Sequence, residues 1–344
     1  MKTTRHTFLL TLAIAVLALP AMAAPKKKVL NLFCWSEYVP DSVIKGFTKE
    51  TGIKVNVENY ASNEEMLSKL LVAGSKYDLI QPSEYTIEAL AKANKLETLD
   101  LSRIPNFKNI GAPFKSLPHD PDNKFSVPWM TGSVGIVINT RKVKDEIKGY
   151  ADVFSGKYKN RIVVLDDNRE MVSWALATLG LGVNDITSEN LAKVKPILQG
   201  WIPQIKVYNS DSPKTPLANG DVDLGIVWSG EAAILIKEHG EKFKYVLPEN
   251  AHMFIDSLAI PKGAPNADAA HQFIDYILRP EVSKIISENF PYTNPNMEAR
   301  KLLPEAQLKN TASYPAGDPK LDTFKDIGKV TKEIDKLVTD LKNK

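Results

Sequence analysis

The sequence predicts an α/β protein built as two lobes, each a mostly parallel sheet flanked by helices, with a ligand cleft between them. Three observations carry this. From residue 29 onward, short apolar strand-forming runs alternate with segments of helical period, which gives a parallel sheet with helices on both faces. A second alternation begins near residue 134, beyond a proline-rich stretch of poor pattern at 106–128 that reads as mostly loop. The 344 residues also exceed what one hydrophobic core usually organises.

The first 23 residues fall outside the fold. Lys2 and Arg5 precede an apolar run at 8–19 and the small-x-small triplet Ala21-Met22-Ala23, so a secretory leader cleaved after Ala23 is expected. The apolar run is too short for a membrane anchor. The stretch VLNLFCWSEY at 29–38 then starts as a strand and ends in a tryptophan, a serine, a carboxylate and a tyrosine. Asp41 is expected to cap a helix to Thr51, ended by Gly52. A strand follows over 53–57. Ser62 to Glu65 has capping-box spacing and opens a helix with Met66, Leu67, Leu70 and Leu71 on its apolar side, closed by Gly74. A third strand over 77–80 runs through Ser83, Glu84 and Tyr85 into a helix ending near Ala93.

Thr131-Gly132-Ser133, small and flexible, suits a crossing between lobes just before a strand at 134–138. The second set continues with a strand at 162–165, a helix at 167–179, strands at 204–208 and 224–228, and a helix at 230–239. A strand over 253–260 would carry the chain back. Helices follow at 267–278 and 281–289, and from Thr323 the tail reads as an amphipathic helix with Ile327, Val330, Ile334 and Leu337 on one face. The expected lobes are 27–131 with 257–301, and 132–256 with 302–344.

Composition narrows the function. Loss of Lys2 and Arg5 with the leader brings the formal net charge of +3 close to balance, which gives no nucleic-acid footprint. Cys34 is the single cysteine, so no intrachain disulfide forms; inside a strand it reads as a small buried hydrophobe. The five histidines lack metal-ligand spacing, and no P-loop, G-x-S-x-G or H-E-x-x-H is present. No cofactor, metal or catalytic residue is therefore expected.

In open α/β sheets ligands bind beyond the C-terminal ends of strands. Here those ends carry Trp35, Ser36, Glu37 and Tyr38, then Ser83 and Tyr85, then Asp167 and Glu170, then Trp228 and Glu231. The returning strand adds Phe254 and Asp256, and Tyr292 follows a proline. Acids with aromatic rings suit an organic cation: carboxylates pair with its ammonium groups, and rings cover its stem and add roughly 0.5–2 kcal/mol of cation–π attraction each. Each residue also has a plainer reading. Asp167 and Glu170 have capping-box spacing, Glu231 favours a helix dipole, Trp35, Trp228 and Phe254 suit a core, and Glu84 reads as a solvated helix-start acid. Asp256, inside an apolar run, needs a partner.

The motifs WSEYVP at 35–40, FTKETGIKV at 47–55, YDLIQPSEY at 77–85, DDNRE at 166–170, NSDSP at 209–213, VDLGIVWSG at 222–230, FIDSLAIP at 254–261 and YTNPN at 292–296 occur in this order. In them the chain resembles the periplasmic spermidine/putrescine-binding proteins of ABC importers, over nearly all of the mature sequence. The resemblance implies a two-lobed, type II-like periplasmic binding protein that closes on its ligand by a hinge. Trp35, Tyr38, Tyr85, Trp228, Phe254 and Tyr292 would box a methylene chain. Glu37, Asp167, Glu170 and Asp256 would bind amino groups, with Ser36 and Ser83 as neutral partners. It further implies a monomer in the periplasm, a polyamine as ligand, a membrane permease as partner, and no enzymatic activity. Phe254 stands where the spermidine binder has a tryptophan, and Phe324 lies near a position where it has a glutamine. Glu231 is similar to an acid of the putrescine-preferring branch. Another cationic or zwitterionic solute, an exported hydrolase using the cleft acids, and a sensory component reporting to a membrane receptor stay open as alternatives.

Overall fold

The computed structural model describes residues 28–73, 76–317, 319 and 321–344, so the expected leader and the Gly74 helix stop lie outside the described residues. The first half of the chain contains β1 (Val29–Trp35), α1 (Asp41–Thr51), β2 (Lys54–Tyr60), α2 (Asn63–Ala73), β3 (Leu79–Ile80), α3 (Glu84–Lys92) and β4 (Ser126–Asn139). Then come α4 (Tyr150–Val153), β5 (Ile162–Val164), α5 (Asn168–Thr178), α6 (Ser188–Trp201), β6 (Ile205–Tyr208), α7 (Lys214–Asn219), β7 (Leu224–Trp228), α8 (Ser229–His239), β8 (Phe243–Val246) and β9 (Met253–Ala259). The chain ends with α9 (Ala267–Ile277), α10 (Pro280–Asn289), α11 (Met297–Arg300), α12 (Glu305–Leu308) and α13 (Val330–Lys342).

The strands run in the order β2-β1-β3-β9-β4-β7-β5-β6, with β8 also paired to β4. Each end of this sheet is a parallel trio, β1 with β2 and β3, and β5 with β6 and β7, as the βα alternation requires. The centre is antiparallel. The first half of β4 pairs with β9, and its second half pairs with β7 and β8. Thr131-Gly132-Ser133 lies at that changeover, inside β4, where it is paired to β9 and buried throughout.

The expected loop at 106–128 in fact ends in the start of β4. All fourteen residues of β4 are buried, so both faces are covered and the polar alternation that marks a half-exposed strand is missing. The strand expected at 53–57 continues to Tyr60, and the one at 77–80 shrinks to Leu79–Ile80. Asp41 sits in the first turn of α1 behind Pro40 and caps nothing. At α2 the Ser62 hydroxyl accepts the Glu65 N–H at 3.1 Å, while the Glu65 carboxylate accepts the Ala61 N–H at 3.0 Å, one residue earlier than a standard capping box. Met66 and Leu70 are buried there, but Leu71 is exposed.

The core fills the layers between sheet and helices. Phe47 of α1 meets Phe273 of α9 edge-on at 5.0 Å, and Trp174 of α5 stacks on Tyr150 at 6.0 Å. The tail helix starts at Val330, later than expected, and buries Ile334, Val338 and Leu341 against α5 and α6. Cys34 is buried, which pushes its thiol up to about 12 and leaves it protonated, the inert small hydrophobe expected.

Candidate ligand-binding cleft

The C-terminal ends of β1, β3, β5 and β7 open on one cleft, closed along its floor by β9. It encloses about 620 Å³ of space free of protein atoms, mouth included. Every residue expected at the site lines it: Trp35, Ser36, Glu37, Tyr38, Ser83, Tyr85, Asp167, Glu170, Trp228, Glu231, Phe254, Asp256 and Tyr292. Ala61, Asn63, Ser210, Asp211, His252 and Phe324 line it as well.

Asp256 occupies the middle. It points from β9 between two neutral hydroxyls, with Tyr38 donating at 2.6 Å and Ser83 at 2.7 Å. Burial pushes its carboxyl up to about 7, more than these hydrogen bonds pull it down. The partner required of a buried acid is thus supplied by hydroxyls, with no cation. Asn63 fixes Ser83 by donating to its hydroxyl at 3.0 Å and accepting its N–H at 3.2 Å.

At one end stands the Asp167 and Glu170 pair. Asp167 caps α5 by accepting the Glu170 N–H at 3.0 Å, and burial with Glu64 and Glu170 nearby pushes its carboxyl up to about 7. Glu170 does not return to the cap as a capping box would have it. It accepts instead from the Trp174 indole at 3.2 Å and lies 2.5 Å from His252 Nδ1. The other ring nitrogen of His252 faces Glu84 at 3.4 Å. A carboxylate on each nitrogen makes both of them donors, so the ring is an imidazolium. Burial works against that charge, but Glu170 and Glu84 outweigh it and raise the group to about 9. The ring stacks on Phe324 at 3.6 Å.

Glu84 is the clearest correction. Read as a solvated helix-start acid, it is 1% exposed and accepts the N–H groups of Ile255 at 2.8 Å and Phe324 at 3.0 Å. It ties β9 and the C-terminal segment to the start of α3. His252 has no metal-ligand spacing to mark it, but its period-two spacing from Phe254 and Asp256 puts all three on one face.

At the far end, Glu37 sits in the turn after β1 with φ +54°, left-handed backbone that a glutamate adopts at a cost of roughly 1 kcal/mol or more. Its carboxylate lies 2.6 Å from Nζ of Lys214, which also meets Glu231 at 3.0 Å. Burial pushes Glu231 up to about 7 against the pull of Lys214. The lysine is held above its ordinary value because Glu231 and Glu37 outweigh its burial. Nothing in the local sequence marked Lys214, which follows NSDSP at the start of α7. Beside it the Ser36 hydroxyl donates to Asp211 across the mouth.

Aromatic rings run between these ends. Tyr38 and Tyr292 lie 5.2 Å apart, Tyr292 and Phe254 5.9 Å, Phe254 and Trp228 5.5 Å, and Tyr85 and Phe324 5.9 Å. Trp228 is aimed by its indole N–H, which donates to the Ser210 carbonyl at 2.9 Å. Tyr292 is held by two backbone hydrogen bonds exchanged between Thr293 and Thr131 of β4. Gly230 leaves room for the Tyr292 ring, into which any Cβ there would run.

Comparison with known proteins agrees with this layout. A spermidine/putrescine-binding periplasmic protein of Salmonella typhimurium is 35% identical over 91% of this chain and 90% of its own. A putrescine-binding periplasmic protein of Escherichia coli is 33% identical over 88% and 87%. The fold superposes on a candidate spermidine/putrescine ABC transporter of Listeria monocytogenes with a TM-score of 0.88 at 33% identity, covering 92% of this chain and 99% of that one. These relatives and structural neighbours are binding proteins of transport systems, not enzymes. Residues 42–316 match the family described as bacterial extracellular solute-binding protein, and with a two-ended cleft at the strand termini and relatives spanning nine-tenths of its length, the chain belongs to that family.

Proposed function

We propose that this protein is the substrate-binding component of an ABC importer for polyamines, capturing spermidine or putrescine in the cleft. One observation carries the reading. Among the described residues, the buried Asp256 and the half-buried Asp167 are carboxylates without an ion-pair partner, set in a channel of aromatic rings. Such groups call for a guest that brings positive charge at separated points and an apolar stem between them. The polyamine-binding relatives support the same class.

In this reading Asp256 and Asp167 receive ammonium groups, Glu170 lies beside Asp167 with its charge met by His252, and Ser36 and Ser83 add neutral hydrogen bonds. Trp35, Tyr38, Tyr85, Trp228, Phe254 and Tyr292 enclose the methylenes. The lobes, 27–131 with 257–301 and 132–256 with 302–344, close over the guest by bending near the β4 and β9 crossings. The shift toward the closed form is bounded by the ligand's preference for it. The protein acts in the periplasm as a monomer after cleavage behind Ala23, and hands its ligand to a membrane permease. Calorimetry with spermidine, putrescine, spermine and cadaverine tests this: saturable binding of at least one is expected, and no heat from any overturns it.

A further inference from the structure

Lys214 stands behind the lining of the cleft and sets its positive charge against two acids that do line it, Glu37 and Glu231. Its Nζ lies 2.6 Å from Glu37, 3.0 Å from both oxygens of Glu231 and 3.1 Å from the Ser212 hydroxyl. An ammonium has three protons, and these acceptors match them all. Glu37 comes from the turn after β1 and Glu231 from the first turn of α8, so the lysine bridges the same two halves of the molecule that a ligand would. The Glu231 side chain is 4% exposed, that of Lys214 19% and that of Glu37 42%, so the Glu231 half of the contact is buried in the wall and the Glu37 half lies at the mouth.

The other acids divide by depth. Glu84 and Glu170 face the two nitrogens of His252. Among the described residues, Asp256 and Asp167 are left inside the cleft with only hydroxyl and backbone hydrogen bonds, while Asp211, which accepts from Ser36, lies exposed at the mouth. From this distribution we propose that Lys214 is a specificity-determining residue, its ammonium filling the cation subsite between Glu37 and Glu231 so that the cleft selects a diamine over a triamine. The proposal rests on the polyamine reading and names the member of that class the site takes. Two ammonium groups of a diamine satisfy Asp256 and the Asp167 end. The third ammonium of a triamine would have to displace Lys214 from all of its acceptors, or remain unpaired beside it.

The test is calorimetric titration of the full-length mature protein with putrescine and with spermidine, for wild type, Lys214→Ala, Lys214→Met and the double variant Lys214→Ala/Glu231→Gln. The readout is the ratio of the two dissociation constants, which does not depend on the fraction of protein that is active. Wild type is expected to prefer putrescine, and Lys214→Ala to shift the ratio toward spermidine by about tenfold or more, because Glu37 and Glu231 are then free to receive the third ammonium. Lys214→Met keeps the packing of the stem and should shift the ratio in the same direction. The double variant should lose much of the gain. A ratio within about threefold of wild type in both single variants, or a wild type that already prefers spermidine, overturns the role of Lys214 and leaves the polyamine reading standing. A wild type that binds neither amine overturns the polyamine reading, and this proposal with it.

Discussion

Nδ1 of His252 and Oε1 of Glu170 lie 2.5 Å apart in the floor of the cleft, and neither residue is more than 3% exposed. With Glu84 on the opposite nitrogen, the imidazolium joins β9 to the starts of α3 and α5. Its folded pKa, raised from 6.5 to about 9, means that its contribution is complete below pH 6.5 and is lost as pH rises through 9. Stability should therefore fall by about 2–3 kcal/mol between pH 7 and 9, a window that opens at the midpoint of the raised carboxyls at Asp167, Glu231 and Asp256, whose remaining ionisation adds to the fall. Urea unfolding at several pH values measures it, and His252→Gln should flatten the profile. An equal slope in the variant would remove His252 as the cause.

Asp256→Asn should move stability and binding in opposite directions. The Asp256 pKa, raised from 3.8 to about 7, makes the ionised acid a cost that develops as pH rises from 3.8 and is complete above 7. Asparagine keeps an acceptor for one of the two hydroxyls and offers an N–H to the other, without the charge. At pH 8 the ligand-free variant should be more stable by roughly 2–4 kcal/mol and bind polyamine about tenfold or more weakly. Thermal melts with and without ligand separate the two effects. A variant that is both less stable and of wild-type affinity would make Asp256 a scaffold residue.

The same two acids make binding pH-dependent. Asp256 and Asp167 hold protons below about 7, and an arriving ammonium must release them. Affinity should fall as pH drops below 7, by up to about tenfold per pH unit for each acid that must ionise. Titrations in phosphate and in Tris, whose ionisation enthalpies differ, would show the released proton as a buffer-dependent heat at pH 6.5. Identical heats would count against ionisation on binding.

Gly230→Ala should disturb the site from behind. Its Cβ would enter the ring of Tyr292, which packs on Tyr38 and Phe254. Overpacking of this kind costs about 1–3 kcal/mol, and here the ring can yield only into the cleft. Weaker polyamine binding together with a lower melting temperature is expected. Unchanged affinity would show that the position of Tyr292 is not critical.

What could be read from the residues beforehand follows the physics of each element. The parallel trios were legible because βα alternation leaves a periodic trace, as β1 and α1 show. The second half of β4 left a trace in the apolar run at 134–138, but its first half left none, since two buried faces carry no polar alternation. At the cleft, Trp35 to Tyr38 and Asp256 announced themselves by placing polar chemistry where strands end or where apolar runs should not be broken. Glu84, His252 and Lys214 did not, because each takes its meaning from a residue more than a hundred positions away, and local pattern is blind to that pairing. The plain reading of Asp167 as a helix cap and its place in the cleft both hold: the carboxylate caps α5 with one oxygen while its side chain lines the cavity.

The position of β9 sets the order in which this molecule can be assembled. It inserts between β3 and β4, more than a hundred residues after both in the chain, and β4 in turn waits for β7 and β8. As the ribosome extends the chain, β1 to β3 can pair with one another, yet their sheet keeps an open edge until residue 259 has emerged. The half built on β1 to β3 therefore gains its inner neighbour only when most of the polypeptide exists, whereas the strands around β5 to β8 have all their partners earlier in the chain.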